Sequence, residues 1–137
     1  VTITNAGNLI ELECGAKAIE ILKAWVQTQN PDTAEQMTIA IRRVTAAGAA
    51  GTPITSQKTS GGSGSSTAVA YSGDRTPTAA NAIIRESVPN IGGFIYAPIP
   101  EERIECVGTS DGIVLRLDEN LSAAHILDCG IVWREIG

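Results

Sequence analysis

Gly108-Thr109-Ser110-Asp111-Gly112 is the stretch of this chain that comes nearest to reactive chemistry. It reads as G-x-S-x-G, and Asp118 or Glu119 and then His125 follow in the serine, acid, histidine order of an α/β-hydrolase. That chemistry needs the serine on a sharp turn between a strand and a helix, where backbone N–H groups can meet the developing oxyanion. The residues after Gly112 do not suit a helix. Ile113, Leu115 and Leu117 fall on one side, and Val114, Arg116 and Asp118 on the other, as in a half-buried strand. The pentapeptide therefore reads as a hairpin turn, no catalytic residue is assigned, and no enzyme is expected.

Metal and cofactor chemistry fare no better. His125 and Cys129 would share one face of a strand, but four residues at about 3.3 Å each separate them by roughly 13 Å, and a metal needs three or more converging ligands. His125 is expected at a strand start or an interface, and Cys129 in the core. Cys14, Cys106 and Cys129 are odd in number, widely spaced and without a C-x-x-C pair. They read as reduced thiols acting as small hydrophobes, with one disulfide plus a free thiol as the other reading. Gly62-x-Gly64 lacks both a third glycine in register and a Gly-Lys-Ser ending, so it reads as flexible loop rather than phosphate cradle. Asn120-Leu121-Ser122 matches the glycosylation sequon, with no secretion signal beside it. No cofactor and no metal is expected. Glu101-Glu102-Arg103, beside Pro98-Ile99-Pro100, is a charged turn whose functional reading is an ion-pair contact with a neighbouring subunit.

These residues must be held by a β framework. Val1-Thr2-Ile3-Thr4 and Leu9 to Cys14 read as short strands split by a Gly turn. Lys17 to Gln29 fits two periods, because Ala18, Ile19, Leu22, Trp25 and Val26 also satisfy helical spacing. The strand is preferred: Asn30-Pro31-Asp32-Thr33 is a turn signal, and Met37, Ile39 and Ile41 alternate beyond it, so a long antiparallel hairpin gives both segments a partner. Thr45 to Ser66 reads as a long flexible Ser/Gly loop. Thr67 to Ser72, Asn81 to Val88, Gly92 to Ala97 and Ile104 to Val107 are short extended pieces, with a turn over Gly73 to Thr78. In the last strand, His125 to Glu135, Leu127, Cys129, Ile131 and Trp133 oppose Asp128, Gly130 and Arg134. The sum is about eight to ten strands with little helix, which predicts an all-β chain, an antiparallel β-sandwich of jelly-roll type, with a small closed barrel as the competing geometry.

At 137 residues the chain has the size of one domain with one core, so residues 1–137 are expected to fold as a single unit. Aromatic residues are scarce, which makes Trp25 and Trp133 the expected largest pieces of that core. The formal charge is −5 with Lys and Arg scattered, so nucleic acid is not an expected partner. No apolar run reaches the length of a membrane helix and no signal-peptide pattern is present, so the chain reads as soluble, with no membrane partner.

A Trp-containing strand feeding Glu35-Gln36-Met37, a Gly/Thr/Pro loop, the turn Pro98-Ile99-Pro100-Glu101-Glu102-Arg103 and a terminal strand ending Trp133-Arg134-Glu135-Ile136-Gly137 together resemble small virion structural proteins of tailed bacteriophages. The resemblance implies a non-enzymatic head decoration or cement protein, made in the host bacterial cytoplasm and placed on the capsid exterior. Its implied partners are the major capsid protein and further copies of itself, as a homotrimer. The candidate subunit and capsid contacts are an N-terminal arm over residues 1–8, with Val1, Thr2, Ile3 and Thr4 at its tip, and the turn formed by Pro98, Ile99, Pro100, Glu101, Glu102 and Arg103. The alternative is a tail or fibre β-sandwich module that recognises a host-surface glycan or receptor, with Tyr71 and Tyr96 as the aromatics open to the surface.

Overall fold

The computed structural model describes residues 2–29, 33–44, 51–59, 64–72, 79–109 and 111–137. Among them, eleven strands form two antiparallel sheets packed as an all-β sandwich, and the only helical piece is a single 3₁₀ turn at Pro100–Glu102. The five-stranded sheet contains β1 (Thr2–Ile3), β3 (Ala18–Gln29), β8 (Phe94–Tyr96), β9 (Glu105–Cys106) and β11 (His125–Ile136). Its order is β1-β11-β3-β8, with β9 also paired to β3. The six-stranded sheet contains β2 (Gly7–Glu13), β4 (Gln36–Val44), β5 (Thr52–Ile54), β6 (Val69–Ser72), β7 (Ala79–Pro89) and β10 (Gly112–Leu117), in the order β5-β6-β2-β10-β4-β7. The count exceeds the expected eight to ten because Thr52–Ile54, within the predicted Ser/Gly loop, adds the strand β5.

Residues 18–29 of the predicted stretch 17–29 are strand, as expected, but for a different reason. β3 and β4 lie in opposite sheets and do not pair, so there is no hairpin across Asn30-Pro31-Asp32, which lies outside the described residues. β3 pairs with β11, β8 and β9, and β4 with β10 and β7. The helix-like spacing also has a physical source. Opposite Val132 and Trp133 the register of β3 skips Leu22, passing from Lys23 to Ile21. This bulge lets Ile19, Ile21, Ala24 and Val26 all enter the core, and a step of three inside a strand mimics a helical period. The same device separates Leu9 from Leu12 in β2, where the register with β10 shifts between Leu115 and Arg116.

The core is aliphatic, with Phe94, Met37, Leu12, Ile39, Leu115, Leu117 and Leu127 among its fully buried side chains. Leu127 leads the predicted inward row of β11, and Cys129, Ile131 and Trp133 pack against the core from partly buried positions. The expectation for the tryptophans is corrected. Trp25 stands on the outer face of the five-stranded sheet, its ring lying over Gly130, where an added Cβ would come within 2.2 Å of it. Phe94, the single phenylalanine, takes the central place instead.

Residues 2–8 are built into the sandwich. Thr2 and Ile3 pair with Ile126 and His125, Thr4 accepts a bond from the Leu121 amide (2.7 Å), and Asn8 is buried within β2. Val1 lies outside the described residues. Within the predicted Ser/Gly loop, residues 45–50 and 60–63 also lie outside them, but Thr52–Ile54 forms β5, an edge strand on which Pro53 is tolerated because one flank needs no donor.

Candidate interaction surface

The residues that suggested hydrolase chemistry go separate ways. Ser110 lies outside the described residues, and β10 begins at Gly112, where the nucleophile elbow requires a helix. Asp118 follows β10 on the outer side of the six-stranded sheet. Arg42 grips it at 3.1 and 2.5 Å, Arg85 donates to it at 3.1 Å, and Arg116 stands 3.4 Å away. Burial opposes ionisation of the Asp118 carboxyl, but Arg42 and Arg85 overcome it and hold the group below its ordinary range. Glu119 accepts a bond from the Thr38 hydroxyl. A buried carboxylate surrounded by cations is a structural clasp, with its lone pairs already committed.

His125 begins β11, as expected for a strand start, and is 4% exposed. Its partner is Glu35, which the sequence reading missed. Nε2 lies 2.5 Å from Glu35 Oε1, and the Ser122 amide donates to Oε2 at 2.8 Å. The Ser122 amide first, opposed by desolvation, and then His125 bring the Glu35 carboxyl down to about 2. The acceptor is thus ionised, and the His125 nitrogen that faces it is the donor. The Asn90 amide donates to the Glu35 carbonyl, the Glu35 amide donates to Asn90 Oδ1 and Asn90 Nδ2 donates to the Thr33 carbonyl, which extends this into a latch joining three loops at one end of the sandwich.

A different kind of surface lies at the free edge of the five-stranded sheet. Ile91 is 73% exposed, Ile95 57%, Ile99 59% and Val107 66%, with Ile95 in β8 and the other three beside β8, the 3₁₀ turn and β9. Ile95 points outward because Phe94 and Tyr96 on either side point into the core. It stands opposite Trp25 in the register, and the Lys23 ammonium sits 5.3 Å from that ring. The predicted contact turn belongs to this edge. Its backbone is pinned from behind: the Tyr96 hydroxyl donates to the Glu102 carbonyl at 2.8 Å and accepts from the Ile104 amide at 3.2 Å. Arg103 reaches Glu20 at 3.5 Å, and Arg134 bonds the same carboxylate. Ile99, Pro100, Glu101 and Glu102 are left facing out from a fixed turn, while Pro98 and Arg103 are half-buried. Three of the four exposed apolar residues, Ile91, Ile95 and Val107, fell outside the sequence-based contact set. The available signal was Ile91, Ile95 and Ile99 at intervals of four in a Gly/Pro-broken stretch.

A third feature is a groove of roughly 640 Å³ between β11 and residues 54–59 and 64–66, lined among others by Lys17, Lys58, Ser65, Trp133 and Glu135. One wall is tied down by Glu135, which accepts from the Thr67 hydroxyl at 2.8 Å and the Ala68 amide at 2.9 Å, while Trp133 Nε1 donates to Ser66 at 3.4 Å. Of the tyrosines expected at the surface, Tyr96 is buried and Tyr71 half-buried on β6. Among the described residues no group of three or more metal-ligating side chains converges, and no helix is long and apolar enough to cross a membrane. No protein-family model, curated protein or solved structure matches this chain, so its own surface carries the functional reading.

Proposed function

We propose that this chain is a non-enzymatic assembly subunit, a virion structural protein that associates with copies of itself and decorates the outer surface of a phage capsid. The observation that carries the reading is the apolar sheet edge. Four branched aliphatic side chains, each more than half exposed, lie in or beside β8 and β9, strands whose outer flank has no partner among the described residues. A monomer that kept such an edge in water would be prone to pairing, and a second subunit removes that hazard. The pinned Pro98–Arg103 turn supports the same role, since a fixed knob loses little conformational entropy on docking. Repetition around a symmetry axis, a trimer on the phage reading, lets individually weak contacts on a lattice act together.

The test is co-sedimentation with capsids that lack the protein. Wild type should pellet with them in fixed stoichiometry, and an Ile95→Lys/Ile99→Glu variant should stay in the supernatant while keeping its fold by circular dichroism. Wild type that ignores capsids would overturn the reading.

The groove favours a second reading, a tail or fibre module for a host-surface glycan. An indole, hydroxyls and two lysines around a concave site suit an oligosaccharide with acidic sugars. Binding on a glycan array that is lost in both Lys17→Ala and Trp133→Phe would support it, and a blank array at high protein concentration would remove it.

A further inference from the structure

Two of the three thiols meet across the sandwich. Cys14 follows β2 in the six-stranded sheet and is 2% exposed, while Cys106 ends β9 in the five-stranded sheet and is 1% exposed. Backbone geometry brings them together. The turn after β9 is closed by the Asp111 amide on the Gly108 carbonyl at 3.1 Å, and the Asp111 carbonyl then accepts the Cys14 amide at 2.9 Å. Both thiols belong to the same buried core cluster, near enough for each to act on the other's titration. Cys129 is remote from the pair. On β3, Cys106 lies opposite Ile19 and Cys129 opposite Val26, and seven residues at about 3.3 Å amount to roughly 23 Å of strand.

We propose that Cys14 and Cys106 are a disulfide pair, closed by exchange with a small-molecule disulfide as the chain folds, and that Cys129 stays a free thiol. The thiols are unlinked in this structure, and the link would set their sulfurs about 2 Å apart. The timing follows from accessibility. Burial, and then the neighbouring thiol, push Cys14 well above the ordinary thiol range, and burial raises Cys106 against the lowering effect of Cys14. Neither is an effective nucleophile once the sandwich is closed. In the unfolded chain, one cysteine thiolate attacks a sulfur of the oxidised reagent and expels one reduced thiol. The second cysteine thiolate then attacks the protein sulfur of that mixed disulfide and expels another. The protein loses two hydrogens and two electrons, and the reagent disulfide is reduced to two thiols.

The experiment refolds the denatured, reduced chain in a mixture of oxidised and reduced glutathione, blocks the remaining thiols by alkylation and maps the peptides by mass spectrometry. In parallel, folded, reduced protein receives the same mixture. The expected result is a Cys14–Cys106 linked peptide and one alkylated cysteine, Cys129, after refolding, with three thiols retained in the pre-folded sample. Cys129→Ser should form the same link, which keeps the test valid where Cys14 or Cys106 variants fold poorly. Three free thiols after refolding, or a link to Cys129, would overturn the proposal. Equally fast linkage in the pre-folded sample would overturn the folding-coupled route.

Discussion

The two sheets carry opposite kinds of outer surface. On the six-stranded sheet the residues that look functional are charged, and they satisfy one another: Asp118 is enclosed by Arg42, Arg85 and Arg116, and Arg116 also bonds Asn8 at 2.9 Å. On the five-stranded sheet the outward edge is apolar, with Ile91, Ile95, Ile99 and Val107 facing water. Chemical reactivity of residue types is a poor guide here, because charge that is internally paired has nothing left to recognise. Apolar area that is internally unpaired does, and at about 25 cal/mol per Å² its burial is what drives association.

The contrast breaks most visibly at Asp118. Asp118→Ala leaves three guanidiniums around an empty site, and the loss of a buried, multiply paired carboxylate should cost about 3 kcal/mol of stability. Urea unfolding checks this; a loss under 0.5 kcal/mol, the range of ordinary surface substitutions, would mean the arginines are solvated without their partner. A smaller effect is expected on the other sheet at Gly130. Gly130→Ala puts a methyl group where the Trp25 ring lies, so the indole must swing outward, costing about 1 kcal/mol and shifting tryptophan emission to longer wavelength. Unchanged emission would show that β11 moves instead.

Smaller again is the pH response of the Glu35 latch. Its carboxyl is lower in the folded chain, about 2, than its ordinary 4.5. The stabilisation is therefore complete above 4.5 and is lost as pH falls from 4.5 towards 2. Thermal unfolding followed across that interval should show a shallower fall in Tm for Glu35→Gln than for wild type. Parallel curves would assign the acid sensitivity to other carboxylates, of which Asp118 is the first in line.

Much of this was legible in the sequence. Period-two alternation located β4, β10 and β11, whose inward rows Met37-Ile39-Ile41, Ile113-Leu115-Leu117 and Leu127 onward enter the core. Pairing was not legible. β1 to β4, β7 to β8 and β9 to β11 switch sheets at each connection, so neighbours in sequence are not partners in space, and alternation reports a face without naming the sheet. Bulges hid part of the pattern, as Leu22 did in β3. At the candidate surface, the proline-rich turn announced itself, whereas Ile95 did not, because a three-residue strand is too short for alternation to show which of its residues faces out. The Glu35–His125 contact spans 90 positions and leaves no local signal.

The most direct test of the account is sedimentation equilibrium of the purified chain over a hundredfold range of concentration, beside the Ile95→Lys/Ile99→Glu variant. The account predicts that wild type forms a discrete closed oligomer and that the variant is a folded monomer with wild-type unfolding behaviour. A wild-type chain that remains monomeric throughout, or a variant that associates as the wild type does, would contradict it.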